Sequence, residues 1–366
     1  MIKEYKLFPL FDDFIKDTLR KKRLKPNGEY IKVQTVENYK RVKILLMEFC
    51  KKYQLELRIR AASKYSQREL KVERAYWNKF YRNFSNFLFK DHKCYDNYVG
   101  SVFKTIKTFF RYLNSDRFIP CGDFYTKFYV RKEEISIITL LPHQLQFLIQ
   151  DKEFETSLPK NLRDTKDLFV FGCTVALRYS DLLNLRKSDI ENVNGNCYLS
   201  ITTQKTGAPV KIKLPDYAKA LLYKKRYRKP GRGKFFYPLS GSRLNINIRR
   251  LIELAGWVQP IDKSRKQAGI AKEIRNVRRS EGGGFRFCDM VSTHTMRRTA
   301  ITTMLILGMP ELVVRKISGH TSSGKSFYRY VNFAQAYMDI EMDKVYRQLI
   351  SNTLMSTTKS IGTLSV

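Results

Sequence analysis

The sequence predicts a mainly α-helical protein of two domains, an all-α bundle followed by an α+β domain with a small antiparallel sheet. The 366 residues are enough for two domains at roughly 150 residues each. Apolar residues recur at steps of three and four through the first third, which is typical of amphipathic helices. Over residues 198–214 the apolar pattern changes to every second residue, which is typical of β-strands. With 43% hydrophobic residues, each domain can bury a core without metal or disulfide staples.

The first domain, residues 1–115, is predicted to be a helical bundle. Residues 35–53 have the pattern of an amphipathic helix with a basic outer face and Thr35 as its candidate N-cap. The same spacing returns over 96–114, and residues 12–19 and 70–89 are also predicted to be helical. No strand signal competes in this part of the sequence. The apolar positions of the two clearest helices are Val36, Tyr39, Val42, Leu45, Leu46, Phe49 and Tyr53, and Val99, Val102, Phe103, Ile106, Phe109, Phe110 and Leu113.

Residues 116–138 are predicted to be an interdomain linker, because Pro120, Gly122 and a charged cluster at 131–134 interrupt the helical periodicity. The second domain is expected over residues 139–350. Its predicted elements are a β-hairpin over 198–214, helices over 247–254, 295–307 and 333–350, and then a polar tail over 351–366.

Two strongly basic stretches, 224–234 and 263–286, are predicted to be flexible loops because they contain glycine. The glycine run at 282–284 is not a phosphate-binding loop, since no Lys-Ser/Thr follows it and no parallel-sheet pattern surrounds it. No nucleotide site is therefore expected.

The charge balance points to an anionic polymer as the working partner. The chain has 69 Lys and Arg against 34 Asp and Glu, a formal net charge of +35 at pH 7. A charge of this size repels itself and is tolerated most easily next to a polyanion, so nucleic acid is the leading partner. The alternative is general basicity without a specific ligand.

Membrane, metal and disulfide chemistry are not expected. The longest nearly apolar run, Leu168 to Leu177, is too short to cross a membrane, and the N-terminus lacks the pattern of a signal peptide. The six cysteines lie far apart without a CxxC pair, and there are only four histidines. The protein is predicted to be cytoplasmic, in the bacterial nucleoid, with no metal and no cofactor.

Five short motifs in the second domain carry residues suited to phosphate chemistry. The first, VALRYSDLLNLR, contains Arg178, with Ser180 and Asp181 expected to open the next helix. The others are TQKTG with Lys205, STHTMRRTA with His294 and Arg297 one helical turn apart, ISGHTS with His320, and KSFYRYVN with Tyr330. Each motif alone is weak, because basic and aromatic residues are common in this chain. The ordered set is far less expected by chance.

In this order, and with the local wording ALRxSDLLxLR, QKTG, HTxRRTA and ISGH, the motifs resemble the tyrosine recombinase (phage integrase) family. The resemblance spans about residues 8–350 and is closest to integrases of Bacteroidetes phages and conjugative elements. It implies a SAM-like core DNA-binding bundle, a catalytic domain, and a site-specific recombinase that joins DNA through a 3′-phosphotyrosine. The implied partners are duplex DNA at recombination sites, a homo-tetramer on paired sites, and accessory DNA-bending or directionality proteins.

The chemistry assigns roles to these residues. Breaking a phosphodiester without metal or ATP needs a nucleophile, an acid for the leaving 5′-oxygen and fixed positive charge for the pentavalent phosphorus. The phenol of Tyr330 is the expected nucleophile. Arg178 and Arg297 are planar, permanently charged donors that can grip two phosphate oxygens.

The resemblance implies the remaining roles. It makes Lys205 the general acid, and it has His294 assisting proton transfer while His320 donates to the phosphate or positions the tyrosine. Asp181 would either support Arg178 or serve only as a first-turn helix acid, and both interpretations remain open.

Two tyrosines compete for the role of nucleophile. Tyr330 follows His320 by ten positions, one more than is usual in the family, and Tyr328 lies two residues before it. The Phe-x-Lys/Arg-Tyr sequence pattern favours Tyr330, and the extra residue, such as Gly324, would then be an insertion in the preceding loop.

Two other functions remain as alternatives. A basic non-catalytic DNA-binding protein would share the charge but would need none of the six site residues. A type IB topoisomerase would use similar chemistry as a monomer without site pairing. The C-terminal helix would pack on its own domain or, as the family implies, dock on a neighbouring protomer.

Overall fold

The computed structural model describes residues 2–25, 27–61, 65–224, 234–236, 239–276, 283–320 and 324–357. It divides into two compact units, one of residues Met1–Ile135 with Lys263–Ile274 and one of Ser136–Asp262 with Arg275–Val366. Helices dominate both units, and all strand pairs are antiparallel. The predicted fold class is confirmed.

The first unit is built on the predicted helices. Their observed bounds are α1 Leu7–Leu19, α2 Val33–Tyr53, α3 Gln67–Lys90 and α4 Asp96–Ser115. The apolar positions that predicted α2 and α4 are buried in one aromatic core, with the exception of Tyr53, which is 46% exposed. Within this core Trp77 stacks on Phe124, with ring centroids 4.9 Å apart. The 3.6-residue period was sufficient here because each helix contributes one continuous apolar face.

Two details of this prediction are wrong. Helix α2 begins at Val33 after Lys32, so Thr35 lies inside the first turn and is not the N-cap. A short antiparallel pair, β1 (Lys3–Lys6) and β2 (Arg58–Ala61), is also present in a region predicted to contain no strand.

Residues 129–134 and a hairpin from later in the chain both lie against α4. The hairpin consists of β7 (Ser264–Gln267) and β8 (Ile270–Glu273). The Asn97 amide exchanges two hydrogen bonds with the backbone of Glu133, at 2.8 and 3.0 Å, and the Glu133 carboxylate accepts the N–H of Lys266. The N–H of Gly269 donates to the Asp96 carboxylate at 3.0 Å. Residues 263–274 therefore form a packed hairpin, and the prediction that they belong to a flexible loop is wrong.

The domain limits drawn from the sequence stay predictions. The segment predicted as a linker contains a 3₁₀ turn, Phe124–Lys127, that packs in the first unit with α3 and α4. Of the second basic stretch, residues 277–282 lie outside the described residues, as does Gly282 of the glycine run.

The second unit surrounds a larger core with helices and one three-stranded sheet. Its helices are α5 Pro142–Gln150, α6 Lys152–Ser157, α7 Lys160–Val175, α8 Tyr179–Leu183, α9 Asp216–Tyr223, α10 Gly241–Leu254, α11 Phe287–Met290, α12 Thr293–Ile306, α13 Glu311–Ser318 and α14 Tyr328–Thr357. Its strands are β3 Ile190–Val193, β4 Asn196–Thr202, β5 Pro209–Lys213, β6 Pro260–Ile261 and β9 Phe285–Arg286. The predicted hairpin is β4 and β5, paired with Leu199 opposite Ile212, and β3 adds an edge strand.

Helices α7 and α12 approach each other closely because α7 carries Gly172 at the contact. A Cβ atom at this position would lie 2.5 Å from Sδ and 3.1 Å from Cβ of Met296 on α12. Helix α12 carries the predicted site residues His294 and Arg297, and Arg178 follows α7. The contact between the two helices therefore brings these three residues to the same region.

The C-terminal helix differs from its prediction in length. Helix α14 runs from Tyr328 to Thr357, so the first part of the predicted polar tail is helical, and residues 358–366 lie outside the described part. No helix among the described residues has the length and apolarity needed to cross a membrane. In the same residues no three His, Cys, Asp or Glu side chains gather where they could hold a metal ion.

Candidate active site

Arg178 enters the site through a tight turn at the end of α7. Ala176 caps the helix with φ of 54°, a left-handed conformation that costs a non-glycine residue about 1 kcal/mol. Arg178 then stands directly before α8 as its N-cap, so Ser180 lies inside the helix and is not the cap that the sequence suggested. The Arg178 Nη1 atom is buried and has no hydrogen-bond partner in the described structure. A strained backbone and an unpaired guanidinium nitrogen at one place are features of functional sites.

Arg297 is buried on α12 and points towards the same turn. Its side chain is 2% exposed, and its Nη1 donates to the carbonyl oxygen of Ala176 at 2.7 Å. Its Nη2 lies 3.2 and 3.3 Å from the two ring nitrogens of His320. In the described part of the chain no carboxylate lies within ion-pair distance of Arg297 or Arg178.

Burial lowers the pKa of Arg297 but leaves the side chain positively charged at neutral pH. Loss of solvent, together with the positive charge of Arg178, lowers the Arg297 pKa to about 10. The guanidinium is therefore protonated at neutral pH. Its positive charge has no carboxylate partner among the described residues, which is costly in a buried position unless an anion joins it.

His320 is held as a neutral ring. Burial, and then the positive charges of Arg297 and Arg178, lower its pKa to about 3. The Ser318 hydroxyl lies 2.7 Å from His320 Nδ1. The ring reaches this position because Gly319 ends α13 with φ of 61°, a left-handed turn that glycine adopts at little cost.

His294 is also neutral near pH 7, although its ring keeps more contact with solvent. Partial burial and the charges of Arg298 and Arg297 lower its pKa to about 4. His294 and Arg297 lie one turn apart on α12, as the sequence predicted for their shared helix face.

Lys205 lies exposed in the turn of the β4–β5 hairpin, which the rest of the unit fixes in place. The N–H of the preceding Gln204 donates to Asp181 Oδ1 at 3.0 Å. Thr203 lies at the Gly319 turn, with its methyl carbon 3.4 Å from where a Cβ would be. Asp181 therefore stands in the first turn of α8 and holds the hairpin that carries Lys205; no Asp181–Arg178 ion pair occurs among the described residues.

The two competing tyrosines lie in different environments. Tyr330 is 2% exposed and its ring centroid lies 6.0 Å from that of His320. Tyr328 is 55% exposed. Gly324 precedes a 3₁₀ turn, Lys325–Phe327, and the loop residues 321–323 lie outside the described residues. The structure brings Tyr330 to His320 and leaves Tyr328 at the surface.

Sequence reasoning missed several residues that shape this site. The Ala176 carbonyl and the Ser318 hydroxyl hold Arg297 and His320, yet each is only a common residue beside a motif. Burial lowers the pKa of Arg298, and the Tyr330 phenol opposes this effect. Arg298 follows Arg297 in the quoted motif, but nothing in the sequence separates their roles.

One residue of the basic stretches has a structural role. Lys224 Nζ lies 2.8 Å from Asp167 and 3.1 Å from Glu155, and Asp167 is fully buried. Lys224 is therefore anchored inside the second unit, contrary to the prediction that it belongs to a flexible basic loop. Residues 225–233 lie outside the described part of the chain.

Together these residues combine positive charge, neutral imidazoles and a phenol, groups that can hold an anion and move protons. Two guanidinium groups supply fixed positive charge, two neutral histidines can accept or donate protons, and a flanking hairpin carries an ammonium group.

Several solved structures share the fold of this chain. Lambda integrase matches as a dimer bound to a COC′ core site (16% identity, 90% of this chain and 77% of that chain, TM-score 0.54) and as a tetramer bound to a Holliday junction (17%, 88% and 79%, TM-score 0.50). The XerH site-specific recombinase in a post-cleavage complex matches with 14% identity over 88% of this chain and 81% of that chain, TM-score 0.54. The Tn1549 transposon integrase with transposon right end DNA matches with 14% identity over 92% and 99%, TM-score 0.53.

Sequence comparison gives the family. A comparison with curated proteins found no match. The profile of the Phage integrase family matches residues 152–336, just over half of the chain, and this span includes every predicted site residue. The chain therefore belongs to the phage integrase family.

Proposed function

We propose that this protein is a site-specific DNA recombinase that cleaves and rejoins duplex DNA through a covalent 3′-phosphotyrosine. The observation that carries the proposal is the buried Arg297, which lies beside Arg178, His320 and Tyr330 and has no carboxylate partner among the described residues. Such a charge is expected where an anion completes the site. The anion that best suits two guanidinium donors next to a phenol is a phosphodiester, which offers two non-bridging oxygens.

The proposed reaction uses each of the six residues once. Tyr330 Oη attacks phosphorus, the bond to the 5′-oxygen breaks, and Lys205 gives that oxygen a proton. Neutral His294 takes the phenol proton, while His320 donates to the phosphate or positions the tyrosine. Arg178 and Arg297 hold the two non-bridging oxygens as negative charge develops. Attack by a second 5′-hydroxyl reverses these steps and joins the strands.

Tyr330 has to move before it can react. Its side chain is 2% exposed and packs against His320 and Phe327, so it does not meet a duplex in this conformation. DNA binding would have to shift the start of α14 outward. A buried nucleophile prevents cleavage until DNA is in place.

The assembly that we propose is a homo-tetramer on paired recombination sites, with accessory DNA-bending or directionality proteins. Lambda integrase, which shares the fold, binds a Holliday junction as a tetramer. Helix α14 leaves apolar residues exposed that a neighbouring protomer could cover. These are Met338, Ile340, Met342, Val345, Tyr346 and Leu349. Integration or excision of a mobile element of Bacteroidetes is the biological role that the motifs favour, in the bacterial cytoplasm.

The test is covalent capture on nicked duplexes from the DNA that flanks the gene. A nick a few nucleotides downstream of the scissile phosphate lets the short fragment that carries the new 5′-hydroxyl diffuse away, so a phosphotyrosyl adduct accumulates and survives SDS. The wild type and Tyr328→Phe should form the adduct, and Tyr330→Phe should form none. A binding-only protein would shift the DNA without an SDS-stable adduct.

A second arm separates a recombinase from a topoisomerase-like enzyme. Substrates with two sites should yield recombinant joints, and substrates with one site should be cleaved without exchange. Relaxation of supercoiled DNA that lacks any site, at the rate seen with paired sites, would contradict the recombinase assignment.

A further inference from the structure

Arg315 on α13 is buried behind the segment that carries both tyrosines. Its side chain is 4% exposed, and its Nε donates to the Glu311 carboxylate one turn earlier at 2.7 Å. Its Nη1 donates to the carbonyl oxygen of Gly324 at 3.3 Å. One guanidinium thus joins α13 to the start of the tyrosine segment.

The same guanidinium lies over two aromatic rings of that segment. Its central carbon is 4.2 Å from the ring centroid of Phe327 and 5.3 Å from that of Tyr328. Phe327 is fully buried, and its ring centroid lies 5.7 Å from Tyr330 and 5.1 Å from His320. Arg315 therefore contacts Tyr328 directly, and it also contacts Phe327, whose ring lies next to that of Tyr330.

A planar guanidinium is needed for this set of contacts. It can stack on a ring through its face while it donates hydrogen bonds in its plane, and a lysine ammonium cannot do both. The attraction of Tyr328 to Arg315 keeps that ring on the outer side of the segment. Because the two tyrosines are two residues apart, holding Tyr328 outward favours the inward position of Tyr330.

We propose that Arg315 is a positioning residue that selects Tyr330 over Tyr328 as the nucleophile. It does so by fixing the segment from Gly324 to Tyr328 against α13. This inference rests on the proposed function, since it presupposes that Tyr330 forms the phosphotyrosine.

The experiment compares Arg315→Lys and Arg315→Ala with the wild type in single-turnover cleavage of the nicked duplex. The matched control is Lys316→Ala, which removes an exposed cation from the next position of the same helix. DNA affinity and the melting temperature are measured for each variant. The modified tyrosine is identified by mass spectrometry of the trapped peptide.

We expect both Arg315 variants to form the adduct roughly 100-fold more slowly, because a displacement of about 1 Å at the reacting group has that effect. DNA affinity should remain within about twofold of the wild type, since Arg315 is buried. The fraction of adduct on Tyr328 should rise above that of the wild type. Lys316→Ala should cleave at the wild-type rate through Tyr330.

Three results would overturn the inference. The first is a wild-type cleavage rate in Arg315→Lys, which would mean that positive charge alone suffices. The second is a wild-type cleavage rate in Arg315→Ala. The third is slow cleavage in both Arg315 variants with the adduct formed only on Tyr330. If Arg315→Ala fails to fold, Phe327→Leu replaces it, because a leucine keeps the apolar contact but removes the flat ring. If the wild type forms no adduct, the proposed function fails; if it reacts through Tyr330 and Arg315→Lys is unimpaired, only this inference fails.

Discussion

The two units of this protein differ in how they partner one of their buried charges: Glu73 in the first unit is neutralised by an arginine, whereas the arginines of the candidate site in the second unit have no carboxylate partner among the described residues. In the first unit the Glu73 carboxylate accepts from Arg58 at 3.0 and 3.2 Å and from the Trp77 ring N–H at 3.0 Å. In the second unit Arg297 has a backbone carbonyl and a neutral histidine as partners, and Arg178 has an unpaired buried nitrogen. The first arrangement is complete, and the second is an arrangement that an anion would complete.

This difference separates stability from function within one chain. A buried pair such as Arg58–Glu73 is strongly destabilising to break, because the remaining charge is left alone. A buried cation without an anionic partner already carries that cost in the folded state. Removing it should leave the fold as stable or more stable while it abolishes phosphate chemistry.

The largest expected effect is that of Arg297→Met. Cleavage of the nicked duplex should fall on the order of 1,000-fold, because one of the two charges that stabilise the transition state is lost. The melting temperature of the second unit should stay equal or rise, because the uncharged methionine side chain can be buried without the desolvation cost of a guanidinium. Single-turnover kinetics and thermal unfolding measure the two effects.

Sulfate provides the control for this prediction. It should raise the melting temperature of the wild type by binding the folded site and should have a smaller effect on Arg297→Met. A variant that loses as much stability as one with a broken internal pair would show that the two regions do not differ.

Glu73→Ala should have the largest effect on stability. The substitution leaves Arg58 and the Trp77 N–H without their shared acceptor, so the first unit should lose about 3–5 kcal/mol of unfolding free energy. Urea unfolding followed by Trp77 fluorescence, in a Trp257→Phe background, measures this unit alone. Glu37→Ala is the matched control, since its pair with Lys40 on the same unit is exposed and should be worth under about 1 kcal/mol.

Acid should destabilise the second unit through its neutral histidines. The folded-state pKa of His320 is about 3, against an ordinary value of 6.5, so below pH 6.5 the unfolded chain binds a proton that the folded site excludes. This contribution is complete above pH 6.5 and falls towards pH 3 by at most about 1.4 kcal/mol per pH unit for the His320 proton. Unfolding free energies of the wild type and His320→Gln over pH 4–7 test this, and an unchanged slope in the variant would contradict it.

The smallest effect is expected at the close contact of α7 with α12, and a close contact of α4 provides the comparison. In Gly172→Ala the new methyl group meets the flexible Met296 side chain, so the overpacking is partly offset by better helix propensity and the net loss should be about 1 kcal/mol. In Gly100→Ala the methyl group would lie 1.9 Å from the Arg131 carbonyl oxygen, which is backbone and cannot move freely. Gly100→Ala should therefore cost more, and equal melting temperatures would contradict this difference.

The sequence predicted elements well wherever one face of the element is continuously apolar. Helices α2 and α4 follow from a 3.6-residue period, and the β4–β5 hairpin follows from alternation around its turn. The β7–β8 hairpin was missed because its residues, SRKQ and IAKE, are mostly exposed and show no apolar alternation. The β1–β2 pair was missed because the two strands lie more than 50 residues apart in the chain and each spans four residues.

The fold class, the family and the order of the six candidate residues can all be predicted from the amino-acid sequence, because helix periodicity and short motifs are local properties of the chain. Three features become visible only in the folded chain: Tyr330 is buried beside His320, Tyr328 is exposed next to Arg315, and Lys224 is paired with Asp167. The tertiary structure also shows that Arg297 has no carboxylate partner among the described residues while Glu73 has two donors. The physical reason is that burial and charge pairing depend on groups distant in sequence, whose approach is set by packing between elements.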